Sequence, residues 1–170
     1  MAIQFTNAFR EILDTLKEIL TNEFKISVHF DKDFEAQASQ YFNISPEVVS
    51  TVARSSGSTT REYSVNIRYY LIKGNYEKHS HIDYLTSVAE RMSRLFNDKR
   101  NATSTNDLFK GVLATFADSQ NTFDSLIAYT FHDGRIEEVN YQPTLTDKEN
   151  IENVNVLDFT FQAIVTEVYL

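Results

Sequence analysis

A chain of 170 residues falls within the roughly 100 to 200 residues of one domain and buries about two thirds of its unfolded surface on folding. Its composition, 42% hydrophobic and 24% charged with 13 Phe and 9 Tyr, excludes the aromatic-poor make-up of a disordered chain. The four glycines, Gly57, Gly74, Gly111 and Gly134, are far apart, which excludes a P-loop and a dinucleotide fingerprint. With no cysteine, disulfides, thiolate catalysis and sulfur-ligated metal centres are excluded too.

The net charge is -8, from 16 basic and 24 acidic residues. Between Asp118 and Leu170 only Arg135 and Lys148 offset ten acids, a balance that repels a phosphate backbone and argues against tight DNA binding there. The first residues hold no basic cluster or apolar run of an export signal, and no apolar stretch approaches the ~18 residues of a membrane span. The expectation is a soluble chain that is not exported and does not contact membrane.

In chain order, Phe5, Phe9, Ile12, Leu13, Leu16, Ile19 and Leu20 recur at helical spacing and predict an amphipathic helix, with Gln4 or Thr6 near its start and Asn22 at its end. Ile26, Val28 and Phe30 then alternate as a strand does. The segment Phe34 to Arg61 reads as a long connection. It has an apolar half around Tyr41, Phe42, Ile44, Pro46, Val48, Val49 and Val52, then a Ser/Thr/Gly half from Ser55 to Thr60. Such length fits either a partner-contacting arm or an edge hairpin of the same domain.

From Glu62 to Ile72 the alternation is strict, with Tyr63, Val65, Ile67, Tyr69 and Leu71 on the core face. Lys73, Gly74 and Asn75 break this strand, and Ser80 with Asp83 marks the start of a second helix carrying Ile82, Leu85, Ala89, Met92 and Phe96. The polar run Asn97 to Asn106 ends it, and Asp107 to Ala117 reads equally as helix or strand. Asp133-Gly134 between Phe123–Phe131 and Arg135–Tyr141 predicts a β-hairpin with Gly134 at positive φ. Gln142 to Asn155 is a second long connection, and Leu157 to Tyr169 alternates as a closing strand. The fold class expected is α+β in one domain spanning 1–170: a mostly antiparallel sheet, an N-terminal helix, a second helix packed on the sheet, and long loops with an extended arm at 34–61.

Chemistry-bearing patterns are weak. His29, Asp31, Asp33 and Glu35 share a strand face, but a calcium loop numbered from Asp31 needs Gly and Glu where the chain has Ala36 and Phe42. His79 and His81 with Asp83 invite a zinc reading, yet the same residues serve a helix start in a solvated turn. His132 and Asp133 are explained by turn chemistry. Glu137 and Glu138, being consecutive in a strand, point to opposite faces. The Asn101-Ala102-Thr103 sequon requires a secretory route. No catalytic residue, metal ligand or cofactor is assigned, and the protein is read as non-enzymatic.

The helix Phe5–Leu20, the loop Tyr41-Phe42-Asn43-Ile44-Ser45-Pro46, the strand Arg61–Tyr69 and the closing Phe159–Val165 follow one another in an order that resembles the tail-terminator and head-to-tail joining proteins of tailed bacteriophages. The segment Asn101 to Gln120 is longer than that scheme. The resemblance implies a virion structural protein, assembled in the host cytoplasm, that forms a ring, usually a hexamer. Such a ring caps the tail tube, meets the head connector and lets DNA pass through its lumen. The candidate subunit interface is Tyr41, Phe42, Ile44, Val48 and Val49. Alternatives are another neck or tail-tube component, a cytosolic α+β adaptor or immunity module, and a small metal-dependent hydrolase using His79, His81 and Asp83.

Overall fold

The computed structural model describes residues 7–30, 39–72, 80–97, 127–146 and 153–169. Helix α1 spans Ala8–Phe24. Asn7 starts it by accepting a hydrogen bond from the Arg10 amide at 3.1 Å, which satisfies one of the amides that a helix leaves open at its first turn. Lys25 ends it in the left-handed conformation, φ 57°, and donates its amide to the Thr21 carbonyl. This termination is usually given to glycine. The start therefore lies at Asn7, not Thr6 or Gln4, and the end falls beyond Asn22.

Strand β1 covers only Val28–Phe30, followed by β2 at Gln40–Arg54 and β3 at Ser58–Ile72. Helix α2 spans Ser80–Asn97, β4 Ile127–Thr146 and β5 Asn153–Tyr169. The sheet order is β1-β2-β3-β5-β4. All neighbours are antiparallel except β1 and β2, which run parallel. The α+β class with a mostly antiparallel sheet and an N-terminal helix is as the sequence predicts.

Both described helices lie on one face. Ile12, Leu16 and Leu20 of α1 and Leu85, Ala89, Met92 and Phe96 of α2 pack on Phe42, Ile44, Val65, Ile67, Tyr69, Phe159 and Phe161. Ile82, expected in the apolar set of α2, is exposed, and Val88 is buried instead. Phe9 meets Tyr63 edge to face at 5.3 Å, and Phe24 meets Phe42 at 5.1 Å. These two contacts lay α1 along the β2–β3 pair, its N-terminal end at Tyr63.

Two expectations change. The segment read as an arm is, over its described part, the hairpin β2–β3, with Arg54 paired to Thr59. Its turn is closed by the Ser55 amide donating to the Ser58 carbonyl at 2.8 Å and the Gly57 amide to Ser55 Oγ. Asp133-Gly134 is not a turn. β4 runs unbroken through it, and no described glycine has positive φ. His132 is the extra residue of a bulge, since Phe131 pairs with Val165 and Asp133 with Ile164.

Gly134 is used for space. A Cβ placed there would stand 2.9 Å from the ring tips of both Phe131 and Phe161, two rings buried in the core. Such a contact forces a well-packed core to shift. Gly134→Ala is expected to destabilise the fold by about 1–3 kcal/mol, and combining it with Phe161→Leu is expected to cost less than the sum of the single changes. Urea midpoints of the four proteins of this cycle measure both quantities.

Candidate assembly interface

The residues proposed from sequence as an interface divide into two sets. Phe42 and Ile44 face the helices at 0% exposure, and Tyr41 is buried on the opposite face of the sheet. These three are committed to the fold itself, correcting their reading as contacts with a neighbour: alternation along β2 sends one set to each covered face. Val48 and Val49 are exposed, and Val52, not in the predicted set, is the most exposed of the three at 59%.

The reason lies in lengths. β2 has 15 residues and extends about 50 Å, whereas the 17 residues of α1 span about 25 Å. Past Tyr63, which pairs with Val49, α1 offers no further cover. Every residue from Pro46 to Arg54 is exposed. Among the described residues, the outer side of β2 is occupied only at Phe42, Asn43 and Ile44, by β1, so Ser45 to Arg54 forms an open edge of the described sheet. Irregular pairings at Pro46/Val48 and Thr51/Ala53 twist that edge, a device that discourages indiscriminate pairing.

The other edge is β4, and it is guarded differently. The Asn97 side chain donates to the Ile136 carbonyl at 3.0 Å and accepts from the Ile136 amide at 2.8 Å. One amide side chain thus engages both backbone groups of Ile136, which share a side of the strand in antiparallel pairing.

On the face away from the helices, Tyr41 stacks on Tyr70 at 4.8 Å within a small cluster completed by Ile72, Val154 and Val156. Beside it Arg68 pairs with Asp158 at 2.5 Å, and Gln142 donates to the same carboxylate at 2.8 Å. The Arg68 guanidinium is held more firmly protonated than usual, chiefly by its hydrogen bond to Asp158. His132 Nε2 lies 2.7 Å from Thr166 Oγ1, and Glu47 accepts from Ser64 Oγ at 2.9 Å. The polar face is cross-linked by pairs of ordinary chemistry.

Glu137 and Glu138 are both exposed. His81 and Asp83 lie in the first turn of α2, while His79, Asp31, Asp33, Glu35, the sequon and residues 107–117 lie outside the described residues. Among the described residues no group of three or more His, Cys, Asp or Glu is placed to hold a metal, and no helix is long and apolar enough to cross a membrane. A cavity of about 250 Å³ between the ends of α1 and α2 is lined by Phe24, Gln40, Tyr69, Tyr84, Val88 and Arg91, among others. Three of its polar groups are engaged in holding the fold: Tyr69 donates to Gln40 Oε1 at 2.8 Å, and Arg91 bonds Glu23 and sits over the Phe24 ring.

Comparison with protein-family models found no match to this chain, and comparison with curated proteins found none.

Burial, and secondarily the neighbouring Tyr70, pushes the Tyr41 hydroxyl up to about 12. Because the folded state holds this proton longer than the unfolded chain, the stabilisation is intact below the unfolded value near 10 and is lost as pH rises toward 12. Denaturation curves between pH 9 and 12 are expected to show a fall of at most about 1.4 kcal/mol per pH unit from this group, a component that Tyr41→Phe removes.

Proposed function

We propose that the protein is a non-enzymatic structural component of a tailed-phage virion, a tail terminator or head-to-tail joining subunit that assembles into a ring. The observation that carries this reading is the pair of unlike edges on one sheet: an open, valine-bearing edge on β2 and a partly guarded edge on β4 at the far side. A ring is built from head-to-tail contacts in which each subunit offers two different surfaces, and a sheet with two unlike edges supplies such surfaces. Burying Val48, Val49 and Val52 against a neighbour contributes about 1.5–3 kcal/mol per side chain. The acidic balance supports a lumen through which DNA passes without being held. The tail tube protein and the head connector are the further partners in this reading.

The test keeps the core intact. Gln40 to Ile44 belong to the fold, so removing the whole segment destroys it; substituting Val48→Lys and Val52→Lys alters only exposed positions. Negative-stain electron microscopy of the concentrated protein is expected to reveal closed rings with a central opening, and the double substitution is expected to leave folded monomers by circular dichroism and sedimentation. A parent protein that stays monomeric at millimolar concentration, or forms only a two-fold dimer, refutes the ring.

A further inference from the structure

Among the described residues, the length of β2 left unpaired on its outer side and the outer length of β4 match. Between the last residue covered by β1, Ile44, and the turn, β2 offers ten residues, Ser45 to Arg54. Between Ile136, held by Asn97, and its own end, β4 offers ten residues, Glu137 to Thr146. In the order β1-β2-β3-β5-β4, each of the last three antiparallel pairings reverses direction. β4 therefore runs opposite to β2. A second copy rotated about an axis along the strands keeps these directions, so its β4 would approach β2 antiparallel.

Resting on the ring reading above, we propose that the open edge of β2 takes the β4 edge of a second copy, joining adjacent subunits through one continuous sheet.

A register follows from faces and charges. Val49 pairs within the chain with Tyr63, and Tyr141 with Leu157, so both stand on the helix-bearing face; both are exposed. Setting Val49 opposite the partner copy's Tyr141 places Thr51 opposite Val139 on that same face, and Ser50 opposite Asn140 on the other. Past the irregularity at Thr51/Ala53, Arg54 arrives beside Glu137 and Glu138. At the other end, past the irregularities at Pro46/Val48 and Gln142/Leu145, Thr146 arrives beside Ser45, next to Ile44, where β1 pairs with β2. A cation thus meets acids, an exposed valine meets an exposed tyrosine, and the strand ends beside the described end of β1. Cross-strand pairs of these kinds each add a fraction of a kcal/mol to the backbone ladder, and like charges in that place oppose it. Ile136, its amide and carbonyl already engaged, marks where the ladder stops.

The chain contains no cysteine, so an introduced pair can react only with itself. Directly opposed strand positions bring Cβ atoms to about 4.5–5.5 Å, within reach of a disulfide after small adjustment. Protein carrying Val49→Cys and Tyr141→Cys, concentrated and mildly oxidised, is expected to give a ladder of linked species beyond the dimer on a non-reducing gel. Arg54→Glu is expected to weaken that ladder several-fold, and adding Glu138→Arg to restore it. Circular dichroism of each variant verifies the fold, since all four positions are exposed. A dimer formed as readily by Val49→Cys alone indicates β2 pairing with β2 across a two-fold axis and overturns the proposal. Rings seen by sedimentation without a ladder overturn it while leaving the ring reading standing. Monomers without a ladder overturn both.

Discussion

The disparity in length between strands and helices governs the rest of this structure. A 15-residue strand reaches about twice as far as a 17-residue helix, so α1 seals one stretch of the β2–β3 pair and leaves the other stretch bare. Where α1 reaches, alternation sorts β2 into core and open face, with Phe42 and Ile44 inside. Beyond it every residue of β2 is exposed. The hairpin holds its shape there because β3 remains paired with β5 as far as Ser58 and Val168, not because β2 has a core of its own.

The face without helices meets a related constraint. Its buried or half-buried polar groups need partners, because an unmatched one costs about 1–3 kcal/mol. Arg68, Asp158 and Gln142 answer one another across three strands, as do Thr60, Thr166 and His132. On the other, helix-bearing face, at the sheet end, Arg61 pairs with Glu167 at 3.0 Å, and Tyr129 donates to the same carboxylate. Each partner comes from an adjacent strand, so these groups tie the sheet laterally. They give His132 of β4 and Asp158 and Glu167 of β5 their hydrogen-bond partners.

The sequence was readable where periodicity is unbroken: the stripe from Ile12 to Leu20, the alternation from Tyr63 to Leu71 and the long run from Leu157 to Val165 all correspond to observed elements. β2 was not, because Pro46 and two irregular pairings disrupt its period and its exposed half has no inside to alternate with. Asp133-Gly134 misled for a different reason. A dipeptide that serves hairpin turns also serves where a side chain has no room, and only the approach of Phe131 and Phe161 distinguishes the two. Apolarity marked Tyr41, Phe42 and Ile44 as contact-forming but carried no information on whether the contact lies within the chain. The guarding of Ile136 by Asn97 spans 39 positions, and nothing local in either stretch announces it.

That last contact couples two parts of the molecule that could otherwise open separately. Asn97 is the final residue of α2, one position from Phe96, whose ring meets Phe161 edge to face at 5.1 Å. Lifting the end of α2 therefore removes an aromatic seat from the core and, in the same motion, frees the amide and carbonyl of an edge strand. Local openings of native proteins that expose apolar surface and strand edges together are the ones from which aggregation starts. The end of α2 is in this sense a latch: while it is closed, β4 is blocked at its middle, and whatever loosens it makes that strand adhesive at the point where the fold is most careful to keep it silent.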